Sequence, residues 1–311
     1  MLLITDATSE VGRAIARQLT GVEREFCCLL QPSRREQRLP RGVPCRTVSA
    51  SMSDPIALRE ALAGASVVAH SVEESDLASS ETGVDHLQAT AVLIDAMKKT
   101  GIRRIIYLSR LGALRTSAYP TARLRGEAEA LITASGLDYT IIQASISYGE
   151  EDILTNVVAM IAKTLPILLP IPDTGMTHFQ PIWIDDLARC VIAATMGRNL
   201  IGQTVPVGGP EHFTYPQMMA QVLDALGIHR SIRPIRMGLV RQISQILNPF
   251  VVRNPIPIWW LDMLDAGQAT ELRAVRNHFG FEPCQFSNCL QYLRRKRPWR
   301  RELFRYLFSN R

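Results

Sequence analysis

Six short apolar runs, near residues 1–5, 25–30, 45–49, 66–70, 104–109 and 138–143, alternate with stretches of helical periodicity near 10–20, 55–63, 83–99 and 121–135. Apolar runs of this length are strands buried on both faces, and strands that alternate with helices build a parallel sheet. The pattern predicts an α/β fold. Gly21, Gly64, Gly101 and Gly136 stand just past the four helical stretches, where a left-handed residue closes a helix most cheaply. With 311 residues, 47% hydrophobic and 21% charged, the chain has room for one large α/β unit or two intimate ones, and a disordered or collagen-like class is excluded.

The regular alternation stops after Gly149 and proline becomes frequent. This divides the chain into a first domain over 1–149, a smaller lobe over 150–291 that contributes elements back to the first, and a tail over 292–311. Residues 177–184 and 203–207 read as further short strands, and 184–194 as a helix. The apolar stretch 153–172 is no membrane span, because Asn156 and Lys163 interrupt it and Pro166, Pro170 and Pro172 break the helix it needs.

The turn after the first strand reads Thr5-Asp6-Ala7-Thr8-Ser9-Glu10-Val11-Gly12. In a Rossmann-like doubly wound sheet this turn receives pyrophosphate, because the next helix offers unpaired N–H groups and a positive dipole end. The turn resembles the T-G-A-T-G-x-x-G segment of extended and atypical short-chain dehydrogenases/reductases, with Asp6 and Ser9 at the first two glycine positions and Gly12 at the third. Gly101 to Ala113 resembles the family's fifth-strand segment, and Gly126 to Ile142 its catalytic helix and sixth strand. Phe179 to Arg189 and Gly208 to Tyr215 are similar to second-lobe motifs of NmrA-like proteins and of the nucleotide-binding accessory subunit of respiratory complex I. The resemblance covers roughly residues 1–290 and implies a Rossmann-like NAD(P)-binding-type fold. It also places Thr5, Asp6, Thr8, Ser9, Val11, Gly12 and His70 at the nucleotide.

An ionised Asp6 at about 4–6 Å from a phosphate costs on the order of 3–4 kcal/mol at an effective dielectric of about 20. Weak dinucleotide binding is therefore expected. The other reading is that Asp6, Thr8 or Ser9 simply caps the helix, with no cofactor bound. Past the second strand, Arg34 and Arg35 stand where NAD-specific members carry an acid, which favours NADP(H) through the 2′-phosphate; a solvated arginine pair is the alternative.

Family enzymes use a Tyr-x-x-x-Lys pair as general acid/base. An ungapped match places Thr121 and Arg125 there, and neither has that chemistry. A shifted register offers Tyr119 and Arg123, with Pro120 inside the motif. Ser109 occupies the strand-five serine position, as a substrate ligand or as a serine satisfying backbone. Gln143-Ala144 replaces the family's Arg-Pro, and Ala50-Ser51 replaces an acid near the adenine. No histidines share metal-ligand spacing, so no metal is expected.

The six cysteines form no CxxC pair, which reads as a reducing, cytoplasmic setting, and Met1 to Thr5 reads as a first strand and not a signal peptide. The net charge of +6 is concentrated: residues 292–311 carry +7 and the rest −1. Trp299, Leu303, Phe304, Leu307 and Phe308 recur there at helical spacing among arginines, which predicts a basic amphipathic helix for an anionic membrane surface or a protein partner, with packing back onto the second lobe as the alternative and nucleic acid disfavoured. Two functions result: a non-catalytic binding, regulatory or assembly module peripheral to a membrane, or an NADPH-dependent reductase or epimerase acting on a small molecule.

Overall fold

The computed structural model describes residues 1–22, 24–31, 39, 45–78, 80–165 and 167–309, the side chains of 80–85 excepted. The described chain divides into two units whose segments interleave. The first opens with β1 (Leu2–Ile4), α1 (Glu10–Gly21), β2 (Phe26–Leu30), β3 (Arg46–Ser49), α2 (Pro55–Ala61), β4 (Val67–His70), α3 (Glu74–Leu77), α4 (Ser80–Lys99), β5 (Arg104–Arg110), α5 (Pro120–Thr133) and β6 (Asp138–Ala144). The chain then enters the second unit with β7 (Ser147–Tyr148), α6 (Ile153–Thr164), β8 (Leu168–Pro172), β9 (His178–Phe179) and β10 (Ile182–Trp183). It returns to the first for α7 (Ile184–Met196) and β11 (Gln203–Val207). The second unit resumes with β12 (Phe213–Thr214), α8 (Tyr215–Ala225), β13 (Ser231–Ile235), α9 (Met237–Leu247) and α10 (Ile258–Ala266). The first receives α11 (Ala274–Phe279), and the chain ends in the second with α12 (Trp299–Phe308).

In the first unit, seven parallel strands lie in the order β11-β6-β5-β4-β1-β2-β3. Leu3, Cys27, Val68, Ile105 and Ile141 alternate onto one face, where Leu58, Leu93, Met97, Ala128 and Ile132 of α2, α4 and α5 cover them. Helices α1 and α7 pack together elsewhere in the same unit. This is the doubly wound α/β arrangement. The strand order turns back at β1, so Thr5 after β1 and His70 at the end of β4 stand at the topological switch point, where such sheets take ligands.

The boundary expected at 149 differs from the structure. The first unit breaks at Ala144 and takes up α7, β11 and α11 from later in the chain. β11 pairs in parallel with β6, from Gln203 opposite Thr140 to Val207 opposite Ala144, and so covers what would otherwise be an open edge. Gly101 and Gly136 take φ of 75° and 74° past their helices, whereas Gly21 is the last residue of α1 and Val22 caps it.

The second unit is held by a cluster that includes Tyr148, Leu154, Met218, Phe286, Leu293 and Trp299. Stretch 153–172 is helix α6 followed by β8, and no helix among the described residues is long and apolar enough to cross a membrane. Trp260 is buried while Trp259 is partly exposed. Cys284 and Cys289 form a disulfide, so cysteine usage does not require the reducing compartment expected from the sequence. The tail is not separate: α12 packs on α6 and contributes Trp299 to the core.

Candidate functional site

Thr5 follows strand β1, and its N–H donates to Ala69 O at 3.0 Å. The turn that follows is drawn tight by Ser9, whose N–H donates to Asp6 O at 3.2 Å and whose hydroxyl donates to the same oxygen at 2.7 Å. Ser9 also caps α1, its Oγ accepting from Gly12 N at 3.0 Å. The capping reading therefore applies to Ser9. A Cβ on Gly12 would stand 2.0 Å from Asp6 O, so helix and turn approach closely only because residue 12 is glycine. Thr8 O accepts from the Arg13 guanidinium, and Thr8 and Val11 remain partly exposed at the helix start. Burial pushes the Asp6 carboxyl well above the usual range, and the nearby charges of Glu73 and Asp76 push it further. Arg34 and Arg35 lie outside the described residues.

Behind the turn runs a buried polar chain. Thr90 Oγ donates to His86 O at 2.9 Å, which commits its one proton. At His70 Nε2, 3.2 Å away, Thr90 must then accept, so Nε2 carries hydrogen and Nδ1 accepts from Thr5 Oγ at 2.8 Å. Burial, with Arg125 nearby, lowers the His70 pKa to about 4 and keeps the ring neutral. Its ring lies 5.6 Å from His86 and 5.5 Å from Tyr107. Burial likewise pushes the Tyr107 phenol up to about 12.

Arg125, at the family lysine position, is 4% exposed. Its Nε donates to Glu74 Oε1 at 2.8 Å, Nη1 to Leu108 O at 3.2 Å and Nη2 to Val72 O at 2.9 Å. Arg110 Nε reaches the same Glu74 oxygen at 2.7 Å. Burial alone would raise the Glu74 pKa, and the two guanidinium groups reverse that and hold it below the usual range.

Thr121 shares the buried face of α5 with Arg125. The shifted pair is not arranged that way. Tyr119 is the N-cap of α5, with extended backbone, and Arg123 is exposed. Ser109 is buried, and its hydroxyl donates to Glu129 Oε1 at 2.5 Å; Gln143 Nε2 donates to both oxygens of that carboxylate at 3.0 Å. Burial raises the Glu129 pKa. Sequence reasoning missed Glu74, Arg110 and Glu129. The signals were the acidic run Glu73-Glu74-Ser75-Asp76 after β4, an arginine ending β5, and Glu129 one turn beyond Arg125.

A family model described as NAD(P)H-binding matches residues 7–163. The chain belongs to this NAD(P)H-binding family. Among the relatives of this chain, the mitochondrial NADH dehydrogenase (ubiquinone) 1 alpha subcomplex subunit 9 of Arabidopsis thaliana is 26% identical over 231 residues, which is 71% of this chain and 56% of that protein. The chain thus spans little more than half of that relative. Photosystem II assembly factor Ycf39 of Guillardia theta is 23% identical over 298 residues, covering 94% of this chain and 92% of the factor. The NADPH-dependent quinone oxidoreductase of Escherichia coli complexed with NADPH superposes with a TM-score of 0.75 at 18% identity, over 94% of this chain and 99% of that one, and shares the fold.

Proposed function

We propose that this member of the NAD(P)H-binding family is a non-catalytic binding or assembly module. It holds dinucleotide weakly, prefers NADP(H) through Arg34 and Arg35, and works by attachment to a partner or an anionic surface through its C-terminal part. The observation that carries the reading is the set of bonds on Arg125. Its Nε and both terminal nitrogens are committed to Glu74, Leu108 O and Val72 O, where a working lysine would hold the ribose and lower a tyrosine pKa. Ser109 bound to Glu129 supports the same reading. Two of the relatives are named as a subunit and as an assembly factor, which agrees with a role exercised through partners.

The second reading is an NADPH-dependent reductase or epimerase in which Ser109, Tyr119 and Arg123 or Arg125 take working roles. It is favoured by the NADPH-complexed oxidoreductase of the same fold. Titrating NADPH and NADH against the fluorescence of the four tryptophans separates the two. Weak binding of both supports the module, and micromolar NADPH affinity overturns it in favour of the enzyme.

A further inference from the structure

Helix α12 is apolar on two sides. Trp299, Leu303 and Tyr306 pack into the second unit, while Phe304 and Phe308 are turned out, their rings 5.0 Å apart and Phe304 67% exposed. By helical period the outward pair is flanked by Arg300 on one side and by Arg301 and Arg305 on the other, and all three arginines are exposed.

The same pattern recurs on α9. Leu239, Ile243 and Ile246 share its exposed face, Val240 and Ser244 its buried one. Phe250, just beyond, is 72% exposed, and Val252 is also exposed. Val252 N and Arg253 N donate to Leu307 O, at 2.7 and 3.4 Å, which fastens this segment to the last turn of α12 beside Phe304 and Phe308. The two rows are thus joined within one unit.

The charge around them is mostly positive, although Arg241 of α9 pairs with Asp262 and Asp265 and Glu302 lies on α12. Residues 225–261 contain five arginines and no Asp or Glu, a run the sequence reading of the tail did not include. Among the described residues, no ion pair neutralises Arg233, Arg236, Arg300, Arg301 or Arg305. Long arginine stems beside exposed phenylalanines let the rings enter an acyl boundary while the guanidinium groups stay at phosphate depth.

We infer that α9, the 248–253 segment and α12 form one composite surface that docks on an anionic lipid bilayer. Flexible acyl chains accept rings carried on two helices and a loop without needing a shaped complement, which favours lipid over an acidic protein. The inference rests on the proposal that the chain works by attachment, and it names the partner.

The test is co-sedimentation of the full chain with vesicles of phosphatidylcholine alone or mixed equally with phosphatidylglycerol. The expected result is pelleting with the mixed vesicles that weakens as salt is raised. Ile246→Ser with Phe250→Ser, and separately Phe304→Ser with Phe308→Ser, each reduce it by about tenfold or more. These side chains are exposed, and circular dichroism of each variant confirms the fold. Absence of pelleting by the unaltered chain overturns the lipid surface and leaves a protein partner, with the reading of the nucleotide site untouched. Full binding by the Ile246/Phe250 variant also overturns the composite surface, leaving α12 alone. Tight NADPH binding in a chain that still pellets overturns the module reading and not this one.

Discussion

Glu74 Oε1 accepts from Arg125 Nε at 2.8 Å across 51 positions of sequence, joining the segment after β4 to helix α5. Both groups are buried, with side-chain exposures of 8% and 5%. Removing one partner of a buried pair leaves an uncompensated charge and costs about 3–5 kcal/mol, whereas replacing both with apolar residues is often close to neutral. Glu74→Gln is therefore expected to lower the urea midpoint strongly, and Glu74→Leu with Arg125→Met to restore most of it. Arg110, 21% exposed, can turn towards water in the double variant. Equal losses in single and double variants would show that the pair itself stabilises the fold.

The same geometry predicts that Arg125→Lys creates no turnover. A lysine ammonium cannot span Glu74, Leu108 O and Val72 O together, and Thr121 offers no phenol beside it. Assays with NADPH and a quinone, the substrate class named for the oxidoreductase of the same fold, should read background for Arg125→Lys. Thr121→Ala should leave any measured rate unchanged, and a clear loss with it would establish a working role for Thr121.

Asp6 predicts how nucleotide affinity depends on pH. Its carboxyl is pushed well above the usual range by burial and by Glu73 and Asp76, so lowering the pH protonates it early and removes a negative charge from the phosphate turn. NADPH should bind more tightly as pH is lowered through the range in which Asp6 takes up its proton, with proton uptake measurable by calorimetry in buffers of different ionisation heat. Asp6→Gly with Ser9→Gly should tighten NADPH by about tenfold or more and flatten the pH dependence. The serine cap costs only a few tenths of a kcal/mol when replaced by glycine. Unchanged affinity in the double variant would remove Asp6 as the obstacle.

His70 sets the acid limit of the first unit. Its folded pKa of about 4 lies below the ordinary histidine value of 6.5, so its contribution is fully present above pH 6.5 and is lost as pH falls towards 4. The loss is about 3 kcal/mol by pH 4 from this group, and buried His86, lowered to about 2, adds in the same direction. Urea midpoints from pH 7 to pH 4 should fall more steeply for the unaltered chain than for His70→Gln.

The sheet was legible because its strands are continuous apolar runs, and a parallel strand buried on both faces has no other way to be written. β11 was visible as a strand but not as part of this sheet, since Gln203–Val207 reads as strand without naming its partner β6. The turn was legible at Gly12, where the backbone of Asp6 leaves no room for a Cβ. Glu74 was not, because nothing local to an acidic run reveals that one carboxylate lies against an arginine 51 residues on. The tail's charge was legible, and its inward face was not. Leu303 and Phe304 are adjacent apolar residues, and only packing decides that the first goes in and the second out.

The tail's anchor gives the last prediction. Thr155 Oγ donates to Asp152 Oδ2 at 2.6 Å, and the Tyr292 hydroxyl, 2.7 Å from Thr155 Oγ and 3.3 Å from Asp152 Oδ2, ties the last segment of the chain to the N-cap of α6. Asp152 Oδ2 also accepts from Gly149 N at 3.0 Å, and burial raises its pKa to about 6. A carboxyl whose folded pKa is raised strains the fold while it is ionised, so this group's penalty is present above pH 6 and is relieved as pH falls through 6 towards its ordinary value. The second unit should therefore gain up to about 3 kcal/mol from Asp152 between pH 7 and pH 4, opposite in sign to His70 in the first. Tyr292→Phe should cost about 1–2 kcal/mol by removing the buried hydroxyl that Thr155 and Asp152 share. Deleting residues 292–311 should cost far more, because it takes Tyr292, Leu293 and Trp299 out of the second unit's core. Hydrogen exchange read by peptide should show protection lost in α6 and α8 of the truncated chain and retained in β1, β4 and β5, and protection retained in α6 would mean that the tail only rests on this unit.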